Sequence, residues 1–171
     1  MTAAGFRAKT GRAILVVLRG DHDFVCRREI SLVDAKVPES AEPHHAVMHL
    51  PWPQAMIAVR PFEAAIERVA GRVIAELIEE FAIERVGVAG SPDRDLSKLG
   101  NEHIRAHAAE GVLFRRVLEV AARNAGLRCV SLSDRNLTMP ADVLKEIGRQ
   151  AGRPWRVDDR IAATAALRAM A

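Results

Sequence analysis

The spacing of apolar residues changes near Pro61 from the period of strands to the period of helices, and this change limits the possible folds. Before Pro61, Arg12–Leu18 is a β-rich apolar run, and Phe24–Val33 alternates two sets of side chains. The Gly20–Asp23 turn between them predicts an antiparallel hairpin. Ahead of the hairpin, Ala3–Ala8 predicts either a short first strand or the beginning of one long strand.

Helices and strands alternate in the rest of the sequence. Apolar residues recur every three or four positions in the helices, whereas the strands are short apolar runs. Because a helix that connects two neighbouring strands makes them parallel, the second half of the sheet is predicted to be parallel. We therefore predict an α/β fold whose mixed sheet has an antiparallel N-terminal meander and is flanked by helices. The helices are predicted over 61–81, about 100–124, 140–150 and 157–170, and the later strands over 84–89 and 128–132.

Residues 34–60 show neither periodicity. The segment contains four prolines and three histidines, which are His44, His45 and His49. We interpret it as a Pro/His-rich loop insertion, with at most a short helical or extended piece, within a single domain that spans 1–171. The histidines could supply metal ligands, although a proline-rich loop also exposes such residues without any ligand.

Composition indicates a mildly basic globular protein. The 171 residues carry a formal net charge of +3, and 21 of the 25 cationic residues are Arg. Arginine suits bidentate recognition of phosphate and carboxylate, although codon bias in an alanine-rich chain also accounts for its abundance. The chain has no Tyr, so a base-stacking platform is not expected and any nucleic acid would be contacted through its phosphates.

Two features favour a cytoplasmic location without a membrane partner. The first apolar run, Ala13–Leu18, is too short for a signal sequence or a membrane span. Cys26 and Cys129 lie far apart and form no CxxC pair, which indicates neither a zinc knuckle nor a disulfide scaffold. We expect a cytoplasmic protein with reduced thiols.

Two short motifs resemble the Holliday-junction resolvase branch of the ribonuclease H-like fold. Residues 5–14, GFRAKTGRAI, resemble the strand, turn and Thr-Gly pair at the start of that branch, and residues 158–167, DDRIAATAAL, are similar to its final Ala-rich helix. The resemblance implies a ribonuclease H-like fold over most of the chain. The family hydrolyses phosphodiesters with two divalent ions held by carboxylates. Residues 5–18 and 103–115 together also resemble a small uncharacterised bacterial family of about this length.

The positions that the resemblance aligns with the metal-binding carboxylates are mostly not acidic. The first-strand Asp of the family falls at Arg7, and the Glu at the end of its fourth strand falls near Ala89 or Gly90. Only Asp158 or Asp159 stands in an appropriate place. One carboxylate beside an arginine cannot hold two divalent cations, which need several oxygen ligands. We therefore predict a degenerate nuclease metal cluster.

A second candidate site lies at the start of the helix predicted over about 100–124. At 100° per residue, His103, His107 and Glu110 lie on one stripe, which continues as an apolar face. This stripe suits a divalent metal, an anion or polar ligand, or only a solvated helix end. We favour an anion or polar ligand over a metal, because Arg105 leaves the same turn, although from another face.

A third candidate is the turn after the first strand. Arg7, Lys9 and Thr10 could hold a phosphate, with Gly5 and Gly11 allowing its close approach to the backbone, or they are simply solvated turn residues.

The first functional hypothesis is a non-hydrolytic protein that binds nucleic acid or nucleotide phosphate. It assigns ligand binding to Arg7, Lys9, Thr10 and Arg105, with His107–Glu110 as an oriented polar pair.

Two alternatives come from other functional classes. One is a metal-dependent phosphodiester hydrolase with a rebuilt site, in which a divalent metal is held by His103, His107 and Glu110. In that enzyme His107, Glu110 and Asp159, or its neighbour Asp158, would be catalytic. The other alternative is a scaffold that only packs against partners.

Overall fold

Five strands form one mixed sheet in a computed structural model that describes residues 1–135 and 137–171. The sheet order is β3-β2-β1-β4-β5. β1 pairs antiparallel with β2 and parallel with β4, β2 pairs antiparallel with β3, and β4 pairs parallel with β5. The predicted antiparallel meander and parallel second half are confirmed. The strands are β1 Thr2–Lys9, β2 Arg12–Arg19, β3 Asp23–Ser31, β4 Arg85–Gly90 and β5 Arg128–Ser133.

Within residues 1–135 and 137–171, six helices accompany the sheet, and all four helices predicted from the apolar spacing are among them. None of the described helices combines the length and hydropathy needed to cross a membrane. The segment 34–60 is more structured than a loop, because it contains two short helices and a 3-10 turn over Pro38–Ala41. The helices are α1 Pro43–Ala46, α2 Trp52–Ala58, α3 Arg60–Phe81, α4 Glu102–Asn124, α5 Ala141–Ala151 and α6 Val157–Met170.

The two faces of the sheet are covered by different helices. Successive side chains of a strand point to opposite faces. Ala4, Phe6 and Ala8 of β1 pack into a core with α3 and α4, whereas Ala3 packs with α5 and α6. We name these the α4 face and the α6 face. Since both faces are covered, the central strands are apolar on both sides, as parallel strands usually are.

α6 lies unusually close to the middle of the sheet. A Cβ atom at Gly5 would come within 2.0 Å of the Ala162 carbonyl oxygen, and one at Gly87 within 1.9 Å of the Ala165 oxygen. Gly5 and Gly87 are register partners on neighbouring strands, so together they form a surface without side chains on which the backbone of α6 packs. Five alanines of α6 are fully buried, namely Ala162, Ala163, Ala165, Ala166 and Ala169.

The role of Gly5 therefore differs from the expected one. Its missing side chain was expected to admit a phosphate, but the space is filled by the backbone of α6. Gly11 fits the expectation of a turn residue, because its φ of +73° is a conformation that favours glycine.

We predict that Gly87→Ala lowers the free energy of unfolding by about 3 kcal/mol or more, because the added methyl would overlap a backbone atom that cannot move independently. Gly71→Ala is the matched control. Gly71 lies in α3 with no atom within 4 Å of an added Cβ, so this change should stabilise the protein by about 0.5–1 kcal/mol. Urea denaturation measures both. Equal stability of Gly87→Ala and the wild type would contradict the close packing of the α6 backbone on Gly87.

Candidate functional site

Four charged side chains meet at the carboxyl end of β1 on the α6 face. Arg7 Nη1 lies 2.7 Å from an Asp134 carboxylate oxygen, and Arg7 Nε lies 3.7 Å from Asp158. Lys9 Nζ donates to Asp158 at 2.7 Å. Arg7 and Lys9 have the same strand parity as Gly5, so they point towards the start of α6, which carries Asp158. We name these four residues the Arg7–Asp158 cluster.

The Arg7–Asp158 cluster does not fit the two-metal centre that the family resemblance implies. A divalent ion needs several oxygen ligands, and here the two carboxylates are already bound by a guanidinium and an ammonium group. A divalent cation would also be repelled by the charge of Arg7, whose side chain is only 17% exposed and therefore poorly screened by solvent. The four residues therefore form an internal ion-pair network.

Of the two acidic candidates on α6, Asp158 belongs to this cluster and Asp159 does not. Asp159 Oδ2 accepts a hydrogen bond from the Arg156 backbone N–H at 2.6 Å, so it caps the start of α6. It also lies 3.6 Å from Arg27. Asp134 was missed in the sequence, although it directly follows β5, where the carboxyl ends of parallel strands meet.

Three arginines lie near the start of α6. Arg153 and Arg156 are exposed and Arg160 is half-buried. None of the three forms an ion pair with a described residue. Arg156 and Arg27 line one depression beside Asp159. The edge of the α6 face next to the Arg7–Asp158 cluster therefore has a net positive charge.

A second cluster lies between α1 and the start of α4. The rings of His45, His103 and His107 have centroids 4.4–4.9 Å apart and stand edge-on to one another. One ring nitrogen from each lies within 4.8 Å of the others. The Nε2 atoms of His103 and His107 are 3.1 Å apart. We name these three residues the histidine cluster.

Glu110 lies behind the histidine cluster and orients one of its members. Its side chain is fully buried. Glu110 Oε1 accepts from His45 Nδ1 at 2.9 Å and from the backbone N–H groups of His44 and His45 at 3.2 and 3.1 Å. Those N–H groups are in the first turn of α1, where no helical partner exists. Glu110, which the sequence predicts as a metal ligand, binds His45 and the start of α1 through Oε1 in the structure.

The remaining predicted ligand residues do not join either cluster. Arg105 Nε donates to the Leu99 carbonyl oxygen at 2.8 Å, and its guanidinium lies over the Trp52 ring, 5.2 Å from the centroid. In the structure Arg105 is therefore held by Leu99 and Trp52. Thr10 lines a shallow depression beside the β1–β2 turn.

A buried network closes the end of β4 on the α4 face. Arg115 bonds to Glu119 at 2.8 Å, to Asp93 at 2.6 Å and to Ser131 at 2.6 Å. Its stem fills the space above Gly90, where an added Cβ would lie 3.1 Å from Arg115 Cβ. These contacts neutralise the arginine internally, so the network packs α4 on the sheet.

Neither cysteine offers a reactive thiolate. Burial and, to a smaller extent, the neighbouring Glu119 carboxylate raise the pKa of Cys129 to about 11. Burial also raises the pKa of Cys26. Both thiols stay protonated at neutral pH and are free.

The fold is similar to solved structures of RuvC from Thermus thermophilus. RuvC in complex with a Holliday junction substrate matches with a TM-score of 0.55, covering 98% of this chain and 90% of that chain. Another Thermus thermophilus RuvC structure matches with a TM-score of 0.52, covering 98% and 92%. The identity is 13% in each case. These matches show the predicted ribonuclease H-like fold. No protein-family model matches the chain, and no curated protein matches its sequence.

We predict that Glu110→Ala lowers the free energy of unfolding by about 2 kcal/mol, because it leaves the His44 and His45 N–H groups without an acceptor in a buried place. Glu102→Ala, at an exposed position in the same helix, is the control and should change stability by less than about 0.5 kcal/mol. Urea denaturation in the presence of a chelator measures both variants without any contribution from a bound metal. Equal effects of the two variants would show that Glu110 does not hold α1.

Proposed function

We propose that this chain is a ribonuclease H-fold protein that binds the phosphate backbone of nucleic acid and does not hydrolyse it through a two-metal centre. The observation that carries this proposal is the Arg7–Asp158 cluster. Side-chain cations replace divalent ions at the carboxyl end of β1, where the resolvase resemblance implies the catalytic metals. The phosphate backbone of a nucleic acid that approached this edge would contact Arg7 instead of a coordinated metal ion.

The charge near the start of α6 supports phosphate binding. Within the clustered pairs, three cations (Arg7, Lys9 and Arg27) balance three carboxylates (Asp134, Asp158 and Asp159). Arg153, Arg156 and Arg160 remain in excess. Arginine binds phosphate oxygens bidentately and is always charged, so three such groups near the start of α6 attract a polyanion.

The likeness to RuvC bound to a Holliday junction substrate makes a four-way DNA junction the first ligand to test. The aromatic content, 4% of residues with no Tyr, favours phosphate contacts over base stacking. Phosphate contacts carry no direct sequence information. We therefore expect binding that depends on the shape of the nucleic acid and on salt, with little dependence on base sequence.

We predict that Arg153→Ala/Arg156→Ala weakens binding to a four-way junction and reduces the slope of log affinity against log salt by about 1 for each phosphate group that these arginines neutralise. The control is Arg60→Ala/Arg72→Ala, which removes the same charge from two exposed residues of α3. Fluorescence anisotropy at several salt concentrations measures both. If the two double variants bind equally, overall charge and not this edge drives binding, and the proposed interface is wrong.

A second prediction concerns hydrolysis. The purified chain should not cut a four-way junction or an RNA–DNA hybrid with Mg²⁺, because Arg7 occupies the place of a metal-binding carboxylate. Gel electrophoresis of end-labelled substrates measures this. Robust cleavage that is lost in Asp158→Asn would contradict the proposal, since it would assign a metal to the Arg7–Asp158 cluster.

A further inference from the structure

We propose that the histidine cluster is a binding site for a transition-metal ion of the zinc type, with His45, His103 and His107 as ligands and Glu110 as the residue that positions His45. This inference concerns the α1–α4 contact and does not rest on nucleic-acid binding.

The spacing of the three imidazoles suits one ion. The Nε2 atoms of His103 and His107 are 3.1 Å apart. Two nitrogen ligands at the usual distance from a tetrahedral zinc ion are separated by about 3.3 Å, so this pair needs only a small adjustment. The nitrogen of His45 lies within 4.8 Å of both, which leaves a gap that an ion would close.

Glu110 gives His45 the tautomer that a metal ligand requires. The Glu110 carboxylate accepts a hydrogen bond from His45 Nδ1 at 2.9 Å, so Nδ1 carries the proton. The Nε2 atom then has a free electron pair for a metal. A carboxylate bound to the outer nitrogen of a ligating histidine is a recurrent feature of metal sites.

The charge of Glu110 is a second, independent indication of a cation. The side chain is fully buried, and its Oε2 atom has no hydrogen-bond partner among the described residues. A buried carboxylate is costly unless it is paired, and its three N–H donors carry no formal charge when the imidazole is neutral. A divalent ion on the far side of His45 would supply the compensating positive charge.

His103 and His107 lie in the first two turns of α4, where they are accessible. Both are exposed, so the ion would have three protein ligands and a coordination position open to solvent. Three imidazoles without a carboxylate ligand select zinc, cobalt or nickel over magnesium and calcium.

The bound ion would connect the segment 34–60 to α4. His45 belongs to α1, which has only four residues and cannot be stable alone. His45 would share the ion with two histidines of a helix that is anchored on the sheet. We therefore expect metal binding to stabilise the fold of α1 as well as to create an open site.

We predict that the full chain, purified without a His-tag and stripped with a chelator, binds one Zn²⁺ per molecule and melts at a higher temperature with Zn²⁺ than without it. Competition titration and thermal denaturation measure these effects. Co²⁺ should bind at the same stoichiometry and give the visible absorption of a tetrahedral complex, whereas Mg²⁺ should change neither readout.

Single variants assign the ligands. His107→Ala should weaken zinc binding by more than about 100-fold, and Glu110→Gln, which keeps an acceptor oxygen for His45, should weaken it about 10- to 100-fold. His49→Ala removes an exposed histidine from the same segment and should leave the affinity unchanged. Because His107 is exposed, its variant remains folded and its loss of binding reports the metal.

The result that would overturn the proposal is a chain that binds much less than one Zn²⁺, or a His107→Ala variant with wild-type affinity. Both measurements are made without nucleic acid, so they fail or succeed independently of the junction-binding experiment.

Discussion

The contact between the α6 backbone and the centre of the sheet is the constraint on which the rest of the structure depends. Gly5 and Gly87 pair across β1 and β4, and α6 passes so near them that neither strand has room for a side chain. The facing residues of α6 must then also be small, which explains its buried alanines. Each alanine buries little apolar area, so close backbone packing over the whole helix replaces large side chains as the source of stability.

The same contact determines the chemistry at the end of β1. Arg7 lies two residues after Gly5 and points to the same face of the sheet. The close packing of α6 brings Asp158 within ion-pair distance of Arg7. A carboxylate in place of Arg7 would repel Asp134 and Asp158 unless a cation were bound between them. With arginine there, the carboxylates are satisfied by the chain itself. Arg7 and Lys9 thus neutralise the two carboxylates at this edge.

The strands and long helices could be predicted from the sequence because burial leaves a recognisable pattern. A half-buried strand alternates with a period of two, a strand buried on both faces is a short apolar run, and a helix repeats its apolar residues about every 3.6 positions. The stripe of His103, His107 and Glu110 was visible for the same reason. His45 was one of three loop histidines named as possible metal ligands, and its place beside His103 and His107 depends on a tertiary contact of a segment without periodicity. Asp134 was not singled out, although it directly follows β5. Gly5 illustrates the opposite case: the need for close approach was predicted, but the approaching group is α6.

The Thr10–Gly11 turn connects the segments that carry the two clusters, which lie on opposite faces of the sheet. The Gly11 carbonyl oxygen accepts from Leu32 N–H at 2.9 Å, and a Cβ on Gly11 would touch the Ala41 oxygen at 3.4 Å. This turn directly follows Lys9 of one cluster and packs on the chain that leads into α1, which carries His45 of the other. Glu110 holds the first turn of α1 from the opposite side. Because α1 is too short to be stable alone, this double attachment is what places His45 against the histidines of α4.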